Sequence, residues 1–309
     1  MIATVTLNPA LDRLLEIERL SADDANRVLL ERHYAAGKGV DASRVIHELG
    51  GNTTAYGMVG GMEGAEITHR LEADGIHADF TEVEGDTRTN LLLHERSTGK
   101  QYLINAQGPR VAPEKLDELL ERLYRKRGSF RAMIVSGSIP QGLPDSAYRT
   151  LVERMEDVKV FVDADGDVLK QAVEARPWAI KPNRHEASRL LGRTVESRAE
   201  SLQAAHDIVT FGIQHVLLSM GKAGAVLAHG GQVWFGRSPE VQAISAVGSG
   251  DSMVAAYTLK LCQGFTPEEA FAWGLAAGAA TALTPGTELC HREDVERLVR
   301  EVSVEPVEA

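Results

Sequence analysis

The run Ser245-Ala246-Val247-Gly248-Ser249-Gly250-Asp251 leads straight into a helical pattern, Ser252 to Leu261. A helix N-terminus leaves backbone N–H groups unpaired and carries partial positive charge. Gly248 and Gly250 remove side chains from the turn, so the N–H groups around Ser249 can approach an anion closely. Asp251 falls in the first turn, within reach of whatever docks there. This pattern suits phosphoryl transfer. Asp251 would take the proton of an acceptor hydroxyl while the N–H groups stabilise the transferring charge. A plain helix cap explains the segment equally well by itself, because Asp is favoured in a first turn.

Further candidates lie elsewhere in the chain. Val216 to Ser219, followed by Met220-Gly221-Lys222-Ala223-Gly224, is a strand ending in a glycine pair. Ser219, Gly221 and Gly224 would let a flat or phosphorylated ligand lie on the backbone. A hairpin turn before Ala225–Ala228 is the simpler reading of that segment alone. Lys181-Pro182-Asn183-Arg184-His185-Glu186 follows a short strand and opens a helix. Asn183 and Glu186 share a helix face, suited to a Mg²⁺ hydration shell and a phosphate, and they also spell a capping box. Gly37-Lys38-Gly39-Val40-Asp41 places a lysine between glycines before a helix running to about Leu49. That suits an anionic substrate group, but it is not a Walker A loop. Asp12 falls just beyond the first strand, where a sugar hydroxyl would be accepted. Arg88, near Asn90, has the fork geometry for a phosphate, although a single Arg is more often a solvated surface charge.

Positioning these residues requires a scaffold, and the pattern supplies one. Ala132–Val135, Val158–Val162, Trp178–Ile180 and His215–Ser219 are short apolar runs. Amphipathic stretches alternate with them: Asp145–Glu156, Asp167–Ala175, His185–Leu191 and Arg198–Phe211. Such alternation predicts an α/β fold, a parallel sheet covered by helices on both faces. Ligands of such sheets bind at the carboxyl ends of the strands. Residues 12–36 and 86–106 break the pattern with alternating polar and apolar residues, and Ser97-Thr98-Gly99-Lys100 is a hairpin composition. They predict a small β lid. Residues 1–11, 37–85 and 107–309 form the core. The acidic tail after Val302 is expected to fray.

Composition narrows the function. The chain has 309 residues, a hydrophobic fraction of 43% and a net charge of −11. Enough apolar side chains are present for a sizeable core. The acidic balance argues against a general nucleic-acid binder. Two cysteines, Cys262 and Cys290, make no disulfide framework, and no zinc-type ligand set appears. The longest uncharged stretch, Phe271 to Thr287, is too short for a membrane span, and the N-terminus has no signal-peptide pattern. A cytoplasmic protein with no membrane partner is the expectation. A dinucleotide-dependent dehydrogenase would carry Gly-x-Gly-x-x-Gly after the first strand, where this chain has Asn8-Pro9-Ala10.

Taken together, these residues resemble the PfkB branch of the ribokinase-like family, over nearly the whole chain. The resemblance rests on Thr6 to Asp12, Gly37-Lys38-Gly39, Thr87-Arg88-Thr89-Asn90, Ser136 to Pro140, Lys181-Pro182-Asn183 with Glu186, and Val247 to Asp251, in family order. It is similar above all to the phosphofructokinase and tagatose-6-phosphate kinase group. The resemblance implies a doubly wound, mostly parallel sheet with a β lid that pairs in a homodimer. It implies Asp251 as general base and Gly248, Ser249 and Gly250 as the anion hole. Asp12, Gly37, Lys38, Asp41, Arg88, Asn90 and Ser138 would hold a sugar phosphate. Lys181, Asn183, Ser219, Gly221 and Gly224 would line the ATP site. Asn183 and Glu186 would organise Mg²⁺ through water, and Ser245–Val247 with Gly286 matches a monovalent-cation segment that would take K⁺.

Two features depart from the family pattern. Asp41 stands where the family commonly has Asn, and Val162-Asp163-Ala164-Asp165-Gly166 carries an Asp where relatives often have Ser. The first half is similar to fructose-1-phosphate and tagatose-6-phosphate kinases, the last third to the minor 6-phosphofructokinases. Fructose 1-phosphate and fructose 6-phosphate give the same product, fructose 1,6-bisphosphate. The reaction expected is therefore transfer from MgATP to a ketohexose monophosphate. The alternatives are a tagatose-6-phosphate kinase, a kinase of an unphosphorylated sugar, and a sensor that binds without turnover. Two cations, Lys38 and Arg88, argue against a neutral acceptor.

Overall fold

The computed structural model describes residues 1–307. Fourteen strands follow one another along the chain as β1 (Ile2–Thr6), β2 (Ala10–Ile17), β3 (Val28–Ala36), β4 (Thr53–Val59), β5 (His77–Glu82), β6 (Arg88–Glu95), β7 (Lys100–Ile104), β8 (Ala132–Ser136), β9 (Val160–Asp163), β10 (Ala179–Ile180), β11 (His215–Ser219), β12 (Ala225–His229), β13 (Gln232–Arg237) and β14 (Ser303–Val307). The helices are α1 (Lys38–Glu48), α2 (Gly61–Ala73), α3 (Pro113–Lys126), α4 (Ala147–Arg154), α5 (Gly166–Glu174), α6 (Arg184–Leu191), α7 (Arg198–Val209), α8 (Ser249–Cys262), α9 (Pro267–Thr281) and α10 (Arg292–Leu298).

Ten strands form the main sheet, in the order β14-β13-β12-β11-β10-β9-β8-β1-β4-β5. From β5 to β11 every pairing is parallel, and the β12, β13 and β14 edge is antiparallel. Alternate residues of each strand face opposite sides. Val5, Val135, Val162 and Val216 pack with α3, α4, α5 and α7 on one face. Ile2, Ile134, Phe161 and Leu217 pack with α1, α8, α9 and α10 on the other. The mostly parallel α/β sheet expected from the alternation is therefore the fold found.

The tail after Val302 corrects its expectation. Ser303–Val307 pairs antiparallel with β13, Val304 opposite Gly236 and Val307 opposite Val233. Pro306 sits there because β14 is an edge strand, where a missing N–H is tolerated.

A separate four-stranded sheet, in the order β3-β2-β6-β7, comprises the two segments that broke the alternation. It begins two residues earlier than the sequence pattern suggested, at Ala10. Its β2 and β6 run parallel, with Asp12 opposite Asn90 and Ala10 opposite Arg88. That register puts Asp12, Asn90 and Arg88 on one face, because side chains two apart share a side. Leu11 and Ala35, on the other face, join a third small core with Ile67 and Leu71 of α2.

Candidate active site

The candidate residues Lys181, Asn183 and Ser219 gather at the carboxyl ends of the parallel strands, as the topology of such sheets dictates, whereas Asp12, Arg88 and Asn90 come from the small sheet. Asp163 ends β9, Lys181 follows β10, and Ser219 ends β11. Asn183 bridges to Ser219 in parallel, and the Ser219 N–H donates to the Pro182 carbonyl at 2.9 Å. The two sequence motifs assigned to a nucleotide are thus neighbours. The Gly221–Gly224 segment is also the hairpin that the simpler reading expected, joining β11 to β12 with Ser219 opposite Ala225.

The turn before α8 has the geometry read from its glycines. Gly248 is the N-cap, at φ 78°. A Cβ there would lie 2.5 Å from Leu289 Cδ2, so the turn is closed to any other residue by conformation and by packing. The Ser249 hydroxyl is buried and has no hydrogen-bond partner. Lys181 Nζ stands 3.4 Å from where a Gly250 Cβ would be. An orphan hydroxyl, a Ser249 N–H that makes only a long bond of 3.4 Å to the Ala246 carbonyl, and an ammonium in one turn fit an anion such as a phosphate.

Asp251 lies among charges contributed by four other elements. Burial pushes its carboxyl up to about 7, Asp163 and Glu186 add to the rise, and Lys38 and Lys181 oppose it. Asp163 is 1% exposed and sits between the two ammonium groups, at 3.3 Å from Lys38 Nζ and 3.3 Å from Lys181 Nζ. Burial alone would raise its carboxyl; Lys181 and Lys38 outweigh that and hold it below the usual range. Asp163 in turn holds the Lys38 ammonium charged, against the cost of its own burial. Lys38 therefore stands in the charged group around Asp251 rather than in the cleft of Arg88. Gly37 supplies the turn it needs, with φ 113° and no room for a Cβ against Pro9 Cα.

Asn183 and Glu186 do form the capping box: the Asn183 side chain accepts from Glu186 N at 3.0 Å, and Glu186 Oε2 accepts from Asn183 N at 2.8 Å. Burial pushes the Glu186 carboxyl up, with Lys181 opposing. Among the described residues no cluster of three or more His, Cys, Asp or Glu could hold a metal ion. One carboxylate beside a turn suited to a phosphate fits Mg²⁺, which keeps waters and takes phosphate oxygens as ligands.

Asp12, Asn90 and Asp41 make a second group. Asn90 Nδ2 donates to Asp12 Oδ1 at 2.9 Å. Burial raises the Asp12 carboxyl, while Asn90, Thr287 and Arg88 pull it down. Asp41 is buried, which pushes its carboxyl well up, and Arg44 at 3.5 Å opposes that. The carboxylate at this departure from the family pattern is thus paired with a base.

Arg88 and Ser138 line a third place, an open cleft of about 630 Å³ shared with Asn8, Gln107, Ile139 and Gln141. Arg88 donates to the carbonyls of Asn8 at 2.9 Å, Ala106 at 3.0 Å and Pro9 at 3.4 Å. A guanidinium has five N–H donors, so one remains on each terminal nitrogen. Asn8 joins Ser138 through Nδ2 at 3.1 Å.

Sequence reasoning missed Asp163 and Asn8 as site residues, and Arg44, Gln107 and Gln141 altogether. Asp163 had a usable signal, a charge ending an apolar strand. Arg44 had a weaker one, a base three residues after Asp41. Gln107 and Gln141 had none.

A doubly wound sheet with an anion-binding helix turn headed by a carboxylate defines a phosphoryl-transfer class of site. The model of the pfkB family carbohydrate kinases matches residues 5–294. The chain is 34% identical over 306 residues to the 1-phosphofructokinase of Bacillus subtilis, covering 98% of this chain and 99% of that one. It is 32% identical over 310 residues to the ATP-dependent 6-phosphofructokinase isozyme 2 of Mycobacterium tuberculosis, covering 99% and 91%. Among solved structures, phosphofructokinase-2 from Escherichia coli in complex with potassium superposes with a TM-score of 0.91 at 29% identity, covering 97% and 98%. The same protein has been solved with fructose-6-phosphate and in a tetrameric inhibited form. The chain belongs to the pfkB family of carbohydrate kinases. Membership implies ATP and Mg²⁺. No helix among the described residues is long and apolar enough to cross a membrane.

Proposed function

We propose that this protein transfers the γ-phosphoryl group of ATP to a ketohexose monophosphate, fructose 6-phosphate or fructose 1-phosphate, giving fructose 1,6-bisphosphate. The observation that carries this reading is Asp251 at the head of α8, raised to about 7 and beside Lys38 and the Gly248–Gly250 turn. A carboxyl so tuned is half ionised near neutral pH, where a general base works best.

The chemistry follows from the positions. Asp251 takes the acceptor hydroxyl proton as the acceptor oxygen bonds to the γ-phosphorus. The bond from that phosphorus to the bridging oxygen breaks, and ADP leaves. The N–H groups of Gly248, Ser249 and Gly250 stabilise the phosphoryl oxygens, with Lys38 and Lys181 adding charge. Asp12, Asn90 and Asp41 hold sugar hydroxyls. Arg88 offers its two remaining N–H groups to the sugar's own phosphate, with the Ser138 hydroxyl, whose oxygen accepts from Asn8 Nδ2 and so leaves its own O–H free to donate. Ser219, Gly221, Gly224 and Asn183 carry the nucleotide. Mg²⁺, held near Glu186 through water, would neutralise the β- and γ-phosphates. A potassium ion would lie near Ser245–Val247, where Ser245 Oγ donates to the Gly286 carbonyl at 3.4 Å. The four-stranded sheet acts as a lid that excludes water and pairs with a second copy.

The test is ADP release from MgATP with fructose 6-phosphate, fructose 1-phosphate and tagatose 6-phosphate at equal concentration, free fructose and ribose serving as controls. Turnover confined to phosphorylated ketohexoses is expected. Turnover with an unphosphorylated sugar alone would overturn the role of Arg88 and the reading with it.

A further inference from the structure

The segment from Thr284 to Cys290 touches three parts of the site at once. Gly286 packs against the small sheet: a Cβ there would lie 3.1 Å from Leu92 Cδ2 and 3.2 Å from Leu14 Cδ2. The Thr287 side chain faces the Asp12 carboxylate and favours its ionised form. Leu289, 2% exposed, packs on Gly248 of the anion turn. The segment also carries strain, because Leu289 holds φ 72°, a region side chains with a Cβ rarely adopt. Strain of this kind persists only where surrounding contacts over-determine it.

One side chain supplies the central contacts. Arg44, on α1, donates to the Thr287 carbonyl at 2.9 Å and the Glu288 carbonyl at 3.3 Å. It also reaches the Ala35 carbonyl at 3.3 Å and Asp41 at 3.5 Å, and its guanidinium lies 5.6 Å from the Tyr34 ring centroid. It thereby ties α1, β3 and the 284–290 segment together. A guanidinium serves several carbonyls in one plane, and an ammonium on a flexible stem does not.

We infer that Arg44 is a positioning residue: by clamping the carbonyls of Thr287 and Glu288 it holds the 284–290 segment as a strap that sets Asp12 at the acceptor end and Gly248 at the anion turn. The inference rests on the proposed reaction for its kinetic consequence, but not for its structural one. Its rival is that Arg44 only neutralises Asp41.

The experiment uses the full chain as Arg44→Met, as Arg44→Lys and as Arg44→Met with Asp41→Asn. Two readouts are taken, amide hydrogen exchange and steady-state kinetics. In both single variants the amides of residues 284–290 and 10–17 exchange at least about tenfold faster, while those of β8 are unchanged. KM for the sugar phosphate rises by roughly 10- to 100-fold and kcat falls, while KM for MgATP moves less than about threefold, because the strap reaches Asp12 and the Gly248 turn but not Ser219 or the Gly221–Gly224 segment. Asp41→Asn does not rescue Arg44→Met. Unchanged exchange overturns the strap, as does full rescue by Asp41→Asn or wild-type behaviour of Arg44→Lys. If Arg44→Met does not fold, Arg44→Lys decides by the same readouts. Wild-type protein without turnover on any ketohexose phosphate overturns the proposed function instead, and the exchange result still decides the strap.

Discussion

At the residue scale the site is an exercise in balancing buried charge. Asp251 and Asp163 are both taken out of water, yet they end on opposite sides of the ordinary carboxylate range. Asp163 has two ammonium groups at 3.3 Å, and Asp251 shares their field at longer range. The sign of the consequence for stability follows. The Asp251 carboxyl titrates near 7 in the folded chain and near 4 in the unfolded one. The folded state therefore keeps a proton that the unfolded state releases between those values. The cost of ionising Asp251 is absent below about pH 4, grows as pH rises, and is complete above about pH 7. Asp251→Asn is accordingly expected to raise Tm over wild type at pH 8, with the gain shrinking toward pH 4.5. Its kcat should fall by roughly 10³-fold, while wild-type kcat/KM climbs about tenfold per pH unit up to near pH 7. A Tm gain that is flat with pH, or a near-normal rate, would remove Asp251 as the buried base. The sequence disclosed Asp251 because its signal is local, a glycine turn opening a helix. It hid the surroundings of Asp163, whose partners are Lys38 at the start of α1 and Lys181 after β10, and those of Arg44, whose shortest contact is 243 residues away at Thr287.

At the scale of elements, α8 is aimed by what packs on its first turn. Gly248 at φ 78° starts it, Leu289 closes on that glycine, and the Ser252 hydroxyl pairs with Thr281 of α9 at 2.7 Å. Gly248→Ala places a methyl within 2.5 Å of Leu289 Cδ2 and costs about 1–2 kcal/mol for the left-handed backbone as well. The expected result is a lower Tm together with a fall in kcat of about 100-fold or more, since the N–H donors of the turn shift with it. A normal kcat in a folded Gly248→Ala protein would show that this turn does not bind the transferring group. The βα alternation was legible because each element states its own period. Ala132 to Ser136 is an apolar run between α3 and α4, His215 to Ser219 is one that follows α7, and the structure makes both strands of the main sheet. The last strand was not legible. Its sequence, Ser303 to Val307, is mostly exposed, contains Pro306, and becomes a strand only because β13 offers an unpaired edge. The small sheet lay between these cases: its alternation showed, but not the parallel pairing of β2 with β6 that brings Asn90 to Asp12.

At the scale of the whole molecule, the small sheet is the part left unfinished. Among the described residues its edge strands, β3 and β7, have no further strand beside them, and they expose Leu29 at 52%, Val28 at 48%, Leu103 at 56% and Ile104 at 57%. Free edges that carry large apolar side chains are a liability for a protein remaining alone in water. The main sheet also ends in free edges, β14 and β5, but neither carries any of the large exposed apolar side chains among the described residues, and the surface around the sheet is rich in ion pairs such as Arg149 with Glu153 and Arg292 with Glu296. The proposed pairing of two lids buries these edges. It also accounts for apolar residues that no contact inside one chain explains. Analytical ultracentrifugation of the full chain is expected to give twice the chain mass. Leu29→Glu combined with Ile104→Glu should give the single-chain mass, with a Tm set by the main sheet and therefore little changed. Neither residue is a hydrogen-bond partner of Arg88 or packs on Gly248, so any loss of turnover in the monomer measures what the second copy contributes to lid closure. A wild-type protein of single-chain mass, or a double variant that still pairs, would show that the lid edges are not the contact.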